Sequence, residues 1–398
     1  MTLLFQTLDD KKECVGIYHD GELLFHQEMP ENLKYTWAYS AFLQNRDIEY
    51  AKLYCDGLSL SEAAPEHLIG RWRDAESKFK AYIKSFHTAC VSLSENCFFD
   101  LVPDKFLLEM CSVKNMICEH VFAHYEKPKN YDYLLGLTRV IENIKYQKLN
   151  INPKNLLLHK SKHRKFSQNL KNLEPYCKFN INGTKTGRLT TQRRSFPVLT
   201  MGKELRSVIE PHNDYFLELD FNAAELRTLI ALQGKPQPAG DLHDWNIKNV
   251  YRGLVTREEA KKRIFAWLYN PESDDYLSSR AYDRDSVVQK YFTQGQVTTF
   301  FDKVIPSEER TALNYIIQST CAENVLRQVI KLSDYLKDKK SFVVFPIHDS
   351  VVIDFSVEDK NSLMEIVDIF SNTELGKFMA SVSMGRDFGH LQKLRGAQ

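Results

Sequence analysis

The sequence predicts an α+β fold built from two or three modules, and three observations predict it. A β-hairpin is written into the first sixty residues, helical periodicity dominates from Pro65 to Tyr125, and from about residue 178 short apolar strands alternate with long helices. At 398 residues the chain exceeds one hydrophobic core, since modules run to roughly 100–200 residues each. Apolar residues at 43% and charged residues at 26% are the balance of a globular protein, which excludes a disordered or fibrous chain.

Taken in order, Val15-Gly16-Ile17-Tyr18 and Leu23-Leu24-Phe25 flank His19-Asp20-Gly21-Glu22, whose Asp-Gly pair signals a two-residue turn. Between Pro65 and Leu93, and again between Pro103 and Tyr125, apolar residues return at helical spacing, as at Leu107, Met110, Cys111, Val113 and Cys118. The two prolines stand where helix starts tolerate them. Lys127-Pro128-Lys129 and the stretch from Asn150 to Lys154 break the pattern. No apolar run approaches the ~20 residues of a bilayer span. The opening MTLLFQTLDDKKE turns charged too early for a signal peptide and lacks the arginines of a transit sequence. Eight cysteines (14, 55, 90, 97, 111, 118, 177 and 321) form no C-x-x-C pair, which speaks against zinc ribbons and a secreted disulfide framework. The expectation is a cytoplasmic protein with no membrane partner.

The net charge of +1 conceals an uneven distribution. Residues 154–206 hold thirteen Lys or Arg against only Glu174 and Glu204, so the segment is +11 and the remainder −10. Such a stretch suits a surface that meets phosphates, although a solvated charged loop has the same composition.

Two acids have the setting of metal-ligating carboxylates. Tyr215-Phe216-Leu217-Glu218-Leu219-Asp220 reads as a buried strand ending in an acid, after which Asn222 is expected to cap a helix through Ile230. Asp349, 129 positions later, lies in the turn Ile347-His348-Asp349-Ser350 between the apolar strands 341–345 and 351–355. Two rigidly held carboxylates from separate elements suit a pair of divalent cations ~3.5–4 Å apart for in-line phosphoryl transfer. Thr256-Arg257-Glu258-Glu259 is a capping box, predicting a helix from Arg257 to Tyr269 with Asn270-Pro271 stopping it. Arg257, Lys261, Phe265 and Tyr269 then form one stripe, with two cations for a triphosphate and two rings to stack on a base. A helix over 307–336 puts Arg310, Asn314 and Gln318 on one face beside Leu313, Ile316 and Ile317, a row of donors for base edges in a minor groove. Taken singly, each of these is also compatible with a plain amphipathic helix or a structural cap.

Together these residues resemble the family A DNA polymerases, the group of bacterial DNA polymerase I. Phe179-Asn180, Gly183-Thr184 and Thr186-Gly187-Arg188-Leu189 are similar to the family's F-N-x-x-G-T-x-T-G-R-L segment. Asp220-Phe221 through Glu225-Leu226-Arg227 resembles motif A, and Asp241-Leu242-His243 the D-I-H that follows it. Arg257, Lys261, Phe265 and Tyr269 match motif B; Arg310, Asn314 and Gln318 match R-x-x-x-N-x-x-x-Q; His348-Asp349 matches the H-D of motif C; and Gly385-Arg386-Asp387-Phe388 resembles the closing G-x-D-[FW]. The resemblance, over residues 178–388, implies a right-hand polymerase with an antiparallel palm sheet and helical fingers and thumb. It places an N-terminal hairpin region at 1–62, the thumb at 63–177, palm at 178–240 and 307–398, and fingers at 241–306.

By the same resemblance Asp220, Asp349 and the Phe221 carbonyl would bind two Mg²⁺, for which Mn²⁺ would substitute. Arg257, Lys261 and His243 would hold the triphosphate, Phe265 would pack on the incoming sugar and base, Tyr269 would stack at the template, and Glu225 would exclude a 2′-hydroxyl. Thr186, Arg188, Arg310, Asn314, Gln318 and His348 would contact the DNA. The implied partners are primer–template DNA, deoxynucleoside triphosphates and replication or processivity proteins, for a monomer. The departures are as informative. Ser350 stands where motif C usually has Glu, Asn270 replaces a Gly, Ala223-Ala224 replaces Gln-Ile, and only 41 positions separate Tyr269 from Arg310. The hairpin resembles the first strands of the RNase H-like proofreading domain, but Leu8-Asp9-Asp10-Lys11 is not D-x-E. A compact phage-type enzyme without proofreading is therefore expected, in a bacterial or phage-infected cytoplasm. A single-subunit RNA polymerase, a reverse transcriptase, a non-catalytic relative and an unrelated two-metal nuclease are the rival readings.

Overall fold

The computed structural model describes residues 3–26, 29–43, 46–162, 174–270 and 272–394. Arg164, Lys165 and Lys171 of the basic stretch, and Pro271, lie outside them. The chain divides into two compact units, Met1–Tyr146 and Gln147–Gln398. Among the described residues no helix is long and apolar enough to cross a membrane.

In the first unit, β1 (Gln6–Thr7), β2 (Gly16–His19) and β3 (Glu22–Phe25) form an antiparallel sheet. The expected turn closes β2 on β3, with positive φ at both Asp20 (46°) and Gly21 (84°), as a type I′ turn requires. Helices α1 (Glu66–Thr88) and α2 (Asp104–His124) begin directly after Pro65 and Pro103, where a missing N–H costs nothing. The hairpin is packed on both faces: Phe5 and Ile17 are buried with Leu33, Leu43 and Tyr50. Leu8, Cys14 and Tyr18 are buried with Phe98, Phe99, Phe106 and Leu107, so region 1–62 shares its packing with the helices that follow.

Cysteine spacing predicted no disulfide framework, and the structure adds a single bridge, Cys14–Cys97. The same loop carries a buried ion pair that sequence reading did not foresee. The Lys11 ammonium donates to Asp9 at 2.8 Å and to the carbonyls of Leu93 and Asn96, each at 2.9 Å, while the other Asp9 oxygen accepts the Phe98 N–H at 2.7 Å. Asp10 in turn accepts from Lys145 and Tyr146. Replacing Asp9 by alanine strands a buried ammonium without its counter-charge, so a loss of about 3 kcal/mol is expected on urea unfolding. A change under about 1 kcal/mol would show the pair to be dispensable.

The second unit is built on a five-stranded antiparallel sheet. Its strands are β4 (Tyr215–Phe221), β5 (Phe342–Ile347), β6 (Ser350–Phe355), β7 (Ala380–Gly385) and β8 (Gln392–Lys393), in the spatial order β5-β6-β4-β7-β8. Strand β4 is central because its apolar residues serve both faces. Phe221 stacks on Phe370 of the helix Leu363–Ser371 at 4.2 Å, and Phe216 meets Phe388 on the other side. Residues paired directly across antiparallel strands share a face. Asp220 therefore lies in one row with Ser350 and Ser381, and Glu218 in the next row with Ser383 and Lys393.

Four further helices share one core with each other: α3 (Ala224–Leu232), α4 (Leu242–Asn249), α5 (Arg257–Tyr269) and α6 (Glu309–Tyr335). Helix α5 has the predicted bounds and the reciprocal Thr256–Glu259 capping box. Its Ala260, Ile264, Trp267 and Leu268 are buried against Leu226 and Leu229 of α3 and Ile316 and Ile317 of α6. The adjoining stripe of Arg257, Lys261, Phe265 and Tyr269 borders that buried face, with Phe265 and Tyr269 partly buried against it. A three-stranded sheet over Phe292–Thr293, Gln296–Thr298 and Val304–Pro306 precedes α6.

One local expectation is corrected. Asn222 does not cap α3, because Ala223 takes the left-handed conformation (φ 53°) at the N-cap position and no side-chain cap bond forms. Asn222 instead accepts from the Leu242 N–H at 2.8 Å and donates to Asp241 at 2.9 Å. It ties the end of β4 to the start of α4.

Candidate active site

One cleft of about 300 Å³ in the second unit gathers most of the residues singled out in the sequence. Asp220, Phe221 and Glu225 line it from β4 and α3, Asp349 from the β5–β6 turn, His243 from α4, and Arg257, Lys261 and Phe265 from α5. Asp220 and Asp349 are neighbours by register. Asp220 pairs with Ser350, and the Phe221 N–H donates to the Asp349 carbonyl at 3.2 Å. The turn that presents Asp349 is sharp enough to put His348 at φ 51°.

The electrostatics record an acid pair short of positive charge. Burial, then Asp349 and Glu218, push the Asp220 carboxyl up to about 7, against the opposing pull of Lys393 and Lys261. Among the described residues no three His, Cys, Asp or Glu side chains converge as a ready-made metal cage. Two adjacent carboxylates in an open cleft, with the Phe221 backbone beside them, nevertheless fit magnesium, which takes its remaining ligands from water and substrate phosphates.

The acid pair yields a stability prediction with a definite sign. Asp220 ordinarily titrates at 3.8 and in the fold at about 7. Its contribution to stability is therefore full below about 3.8, declines across that window and is lost above about 7. In chelator-treated buffer Asp220→Asn is expected to gain on the parent as the pH rises above about 4 and to melt higher at pH 8. Discounted for the cleft's open mouth, the gain is about 1 kcal/mol, or roughly 2–4 °C. Equal melting temperatures at pH 8 would refute the repulsion.

A second cluster organises the cleft floor. Glu225 accepts from the Tyr269 hydroxyl and from the Arg188 guanidinium. Burial first, and then Glu225, push the Tyr269 phenol far up, so it stays a donor. Arg188 is aimed by a tight turn in which Gly187 holds φ 77° and Thr184 donates to the Arg188 carbonyl at 3.0 Å. Thr186 is buried within that turn. Phe265 stacks on Tyr269 with centroids 6.2 Å apart and meets His243 at 6.4 Å. The His243 Nδ1 is buried with no hydrogen-bond partner among the described residues, and burial lowers the ring's pKa. Arg257 is occupied by Asp241 at 2.8 Å and Asp244 at 3.4 Å.

The other predicted DNA-contacting residues sit elsewhere. Arg310 is exposed and pairs with Glu308, while Asn314 and Gln318 are half-buried on α6 and His348 is exposed at its turn. None of these four lines the cleft. Three participants escaped the sequence reading. Ser381 and Lys393 line the cleft from β7 and β8; the alternation Ala380-Ser-Val-Ser-Met is the period-2 signal that marks such a strand. Glu218 accepts from the Ser350 hydroxyl at 3.3 Å, so a carboxylate of the neighbouring strand stands beside Ser350, although it does not itself line the cleft. Burial raises its pKa.

This topology, α+β around a central antiparallel sheet, is that of a right-hand polymerase fold. A solved structure described as the POL domain of Pol1 from M. smegmatis in complex with DNA primer-template and dNTP is similar to the chain, with a TM-score of 0.64. The two are 13% identical, over 97% of this chain and 95% of that one. No protein-family model and no curated protein matches the chain. The shared fold at this identity establishes architecture, and function rests on the site.

Proposed function

We propose that this protein is a template-directed DNA polymerase that adds deoxynucleotides to a primer 3′ end. One observation carries the reading: a single cleft joins two strand-end acids 129 positions apart to the Arg257–Lys261–Phe265 stripe of one helix. Asp220, Asp349 and the Phe221 carbonyl would hold two Mg²⁺, or Mn²⁺. Such ions, when bound, lower the pKa of a primer hydroxyl and neutralise developing phosphate charge.

The chain's own residues do the positioning. Lys261 and Arg257 draw the triphosphate to the helix wall of the cleft, with Arg257 exchanging Asp241 and Asp244 for phosphate oxygens. His243, kept neutral by burial, offers a hydrogen bond without adding charge. Phe265 packs on the incoming nucleotide, Tyr269 at the template position, and Glu225 against the sugar. Arg188, Thr186, Arg310, Asn314, Gln318 and His348 would meet the duplex through backbone and minor-groove contacts, which sense pairing geometry without reading sequence. The palm then comprises 178–240 and 307–398, the fingers 241–306 and the thumb 63–177.

The absence of proofreading belongs to the same proposal, supported by the absorption of Asp9 and Asp10 into pairs with Lys11, Lys145 and Tyr146. A compact phage-type enzyme, monomeric and cytoplasmic, fits that reading. Primer extension with each dNTP and Mg²⁺, on matched and 3′-mismatched primers, tests it. Incorporation opposite the complementary base without prior trimming is expected. Extension only with rNTPs would favour an RNA polymerase, and removal of the mismatched nucleotide would overturn the proofreading assignment.

A further inference from the structure

We infer that Lys393 binds a backbone phosphate of the primer strand, an assignment that rests on the polymerase reading of the same cleft. Strand β8 adds to the sheet edge two strands from Asp220, about 10 Å across, and register puts Lys393 on the cleft face in the row of Ser383 and Glu218. Its side chain lines the cleft together with Asp220, Asp349 and Ser381. It has no hydrogen-bond or ion-pair partner among the described residues, unlike Arg257.

The cleft thus has cations on two walls. Arg257 and Lys261 stand on the helix wall, and Lys393 stands on the sheet wall with the Ser381 hydroxyl beside it. In an in-line displacement the attacking and leaving oxygens lie on opposite sides of the transferred phosphorus. With the helix-wall cations holding the leaving pyrophosphate, the sheet-wall cation serves the attacking strand.

The test compares Lys393→Ala and Lys393→Arg with the parent protein. Affinity for a labelled primer–template is measured by fluorescence anisotropy across a salt series without dNTP, and KM for dNTP is measured separately. One lost duplex phosphate contact reduces the slope of log K against log salt by about 0.9. Lys393→Ala is expected to show that reduction and a roughly three- to tenfold weaker low-salt affinity with KM for dNTP unchanged, and Lys393→Arg to restore both. An unchanged slope with a raised KM would assign Lys393 to the triphosphate, and no change in either would make it a solvated lysine; both overturn the inference while leaving the polymerase reading intact. A parent protein that neither binds nor extends primer–template would overturn both together.

Discussion

Replacing Asp220 or Asp349 by alanine is expected to abolish nucleotide incorporation while the affinity for primer–template changes less than about threefold. The two carboxylates meet because β4 and β6 pair in a register that opposes Asp220 to Ser350, directly after Asp349. Burial and repulsion by Asp349 and Glu218 already lift the Asp220 carboxyl to about 7, so this pair holds negative charge that Lys393 and Lys261 offset only in part. On the proposed two-metal reading, losing either carboxylate should remove several kcal/mol of transition-state stabilisation. At 1.36 kcal/mol per decade that is at least ~10³-fold in rate. Duplex affinity comes from cations and backbone contacts elsewhere, so it should survive. Single-turnover extension and anisotropy on the same preparations separate the two quantities. Extension by either variant at more than a tenth of the parent rate would end the two-acid assignment.

The next largest effect is expected in sugar selection. Glu225 is clamped by Tyr269 and Arg188, and its side chain is only 18% exposed. A carboxylate fixed from two sides cannot swing away from an extra hydroxyl, and a built clash of this kind discriminates by repulsion. Glu225→Ala should open that space and cut the preference for dNTP over rNTP by ~10²-fold or more, about 2.7 kcal/mol. The same change leaves the half-buried Tyr269 hydroxyl without its acceptor, at a stability cost of about 1 kcal/mol. Glu225→Gln keeps the volume and an acceptor, so it should retain most of the selectivity. Ratios of kcat/KM for matched dNTP and rNTP decide the point. Undiminished discrimination in Glu225→Ala would move the gate to another residue.

Local elements were legible because their signals are local. The Asp20-Gly21 turn, the proline-started helices and the Thr256–Glu259 box each depend on a few adjacent residues, and each forms where those residues stand. Motif spacing likewise identified the two acids and the α5 stripe, because a helix turns all its i, i+4 positions to one side. Asn222 shows the limit. Its residue type favours a cap, but a link to Asp241 and Leu242 across nineteen and twenty positions won.

The chain alone determined which side chains carry charge, which positions are apolar at periods of 2 and 3.6, and hence the order of strands and helices. Strand order and register, decided only by tertiary packing, brought Lys393 and Ser381 to the acid pair and gave Ser350 its carboxylate partner in Glu218. Packing likewise buried Asp9 against Lys11. The reason is physical: sheet pairing joins residues far apart in sequence through backbone hydrogen bonds that no side-chain pattern encodes, and burial then sets each acid's charge by neighbours that only the fold supplies.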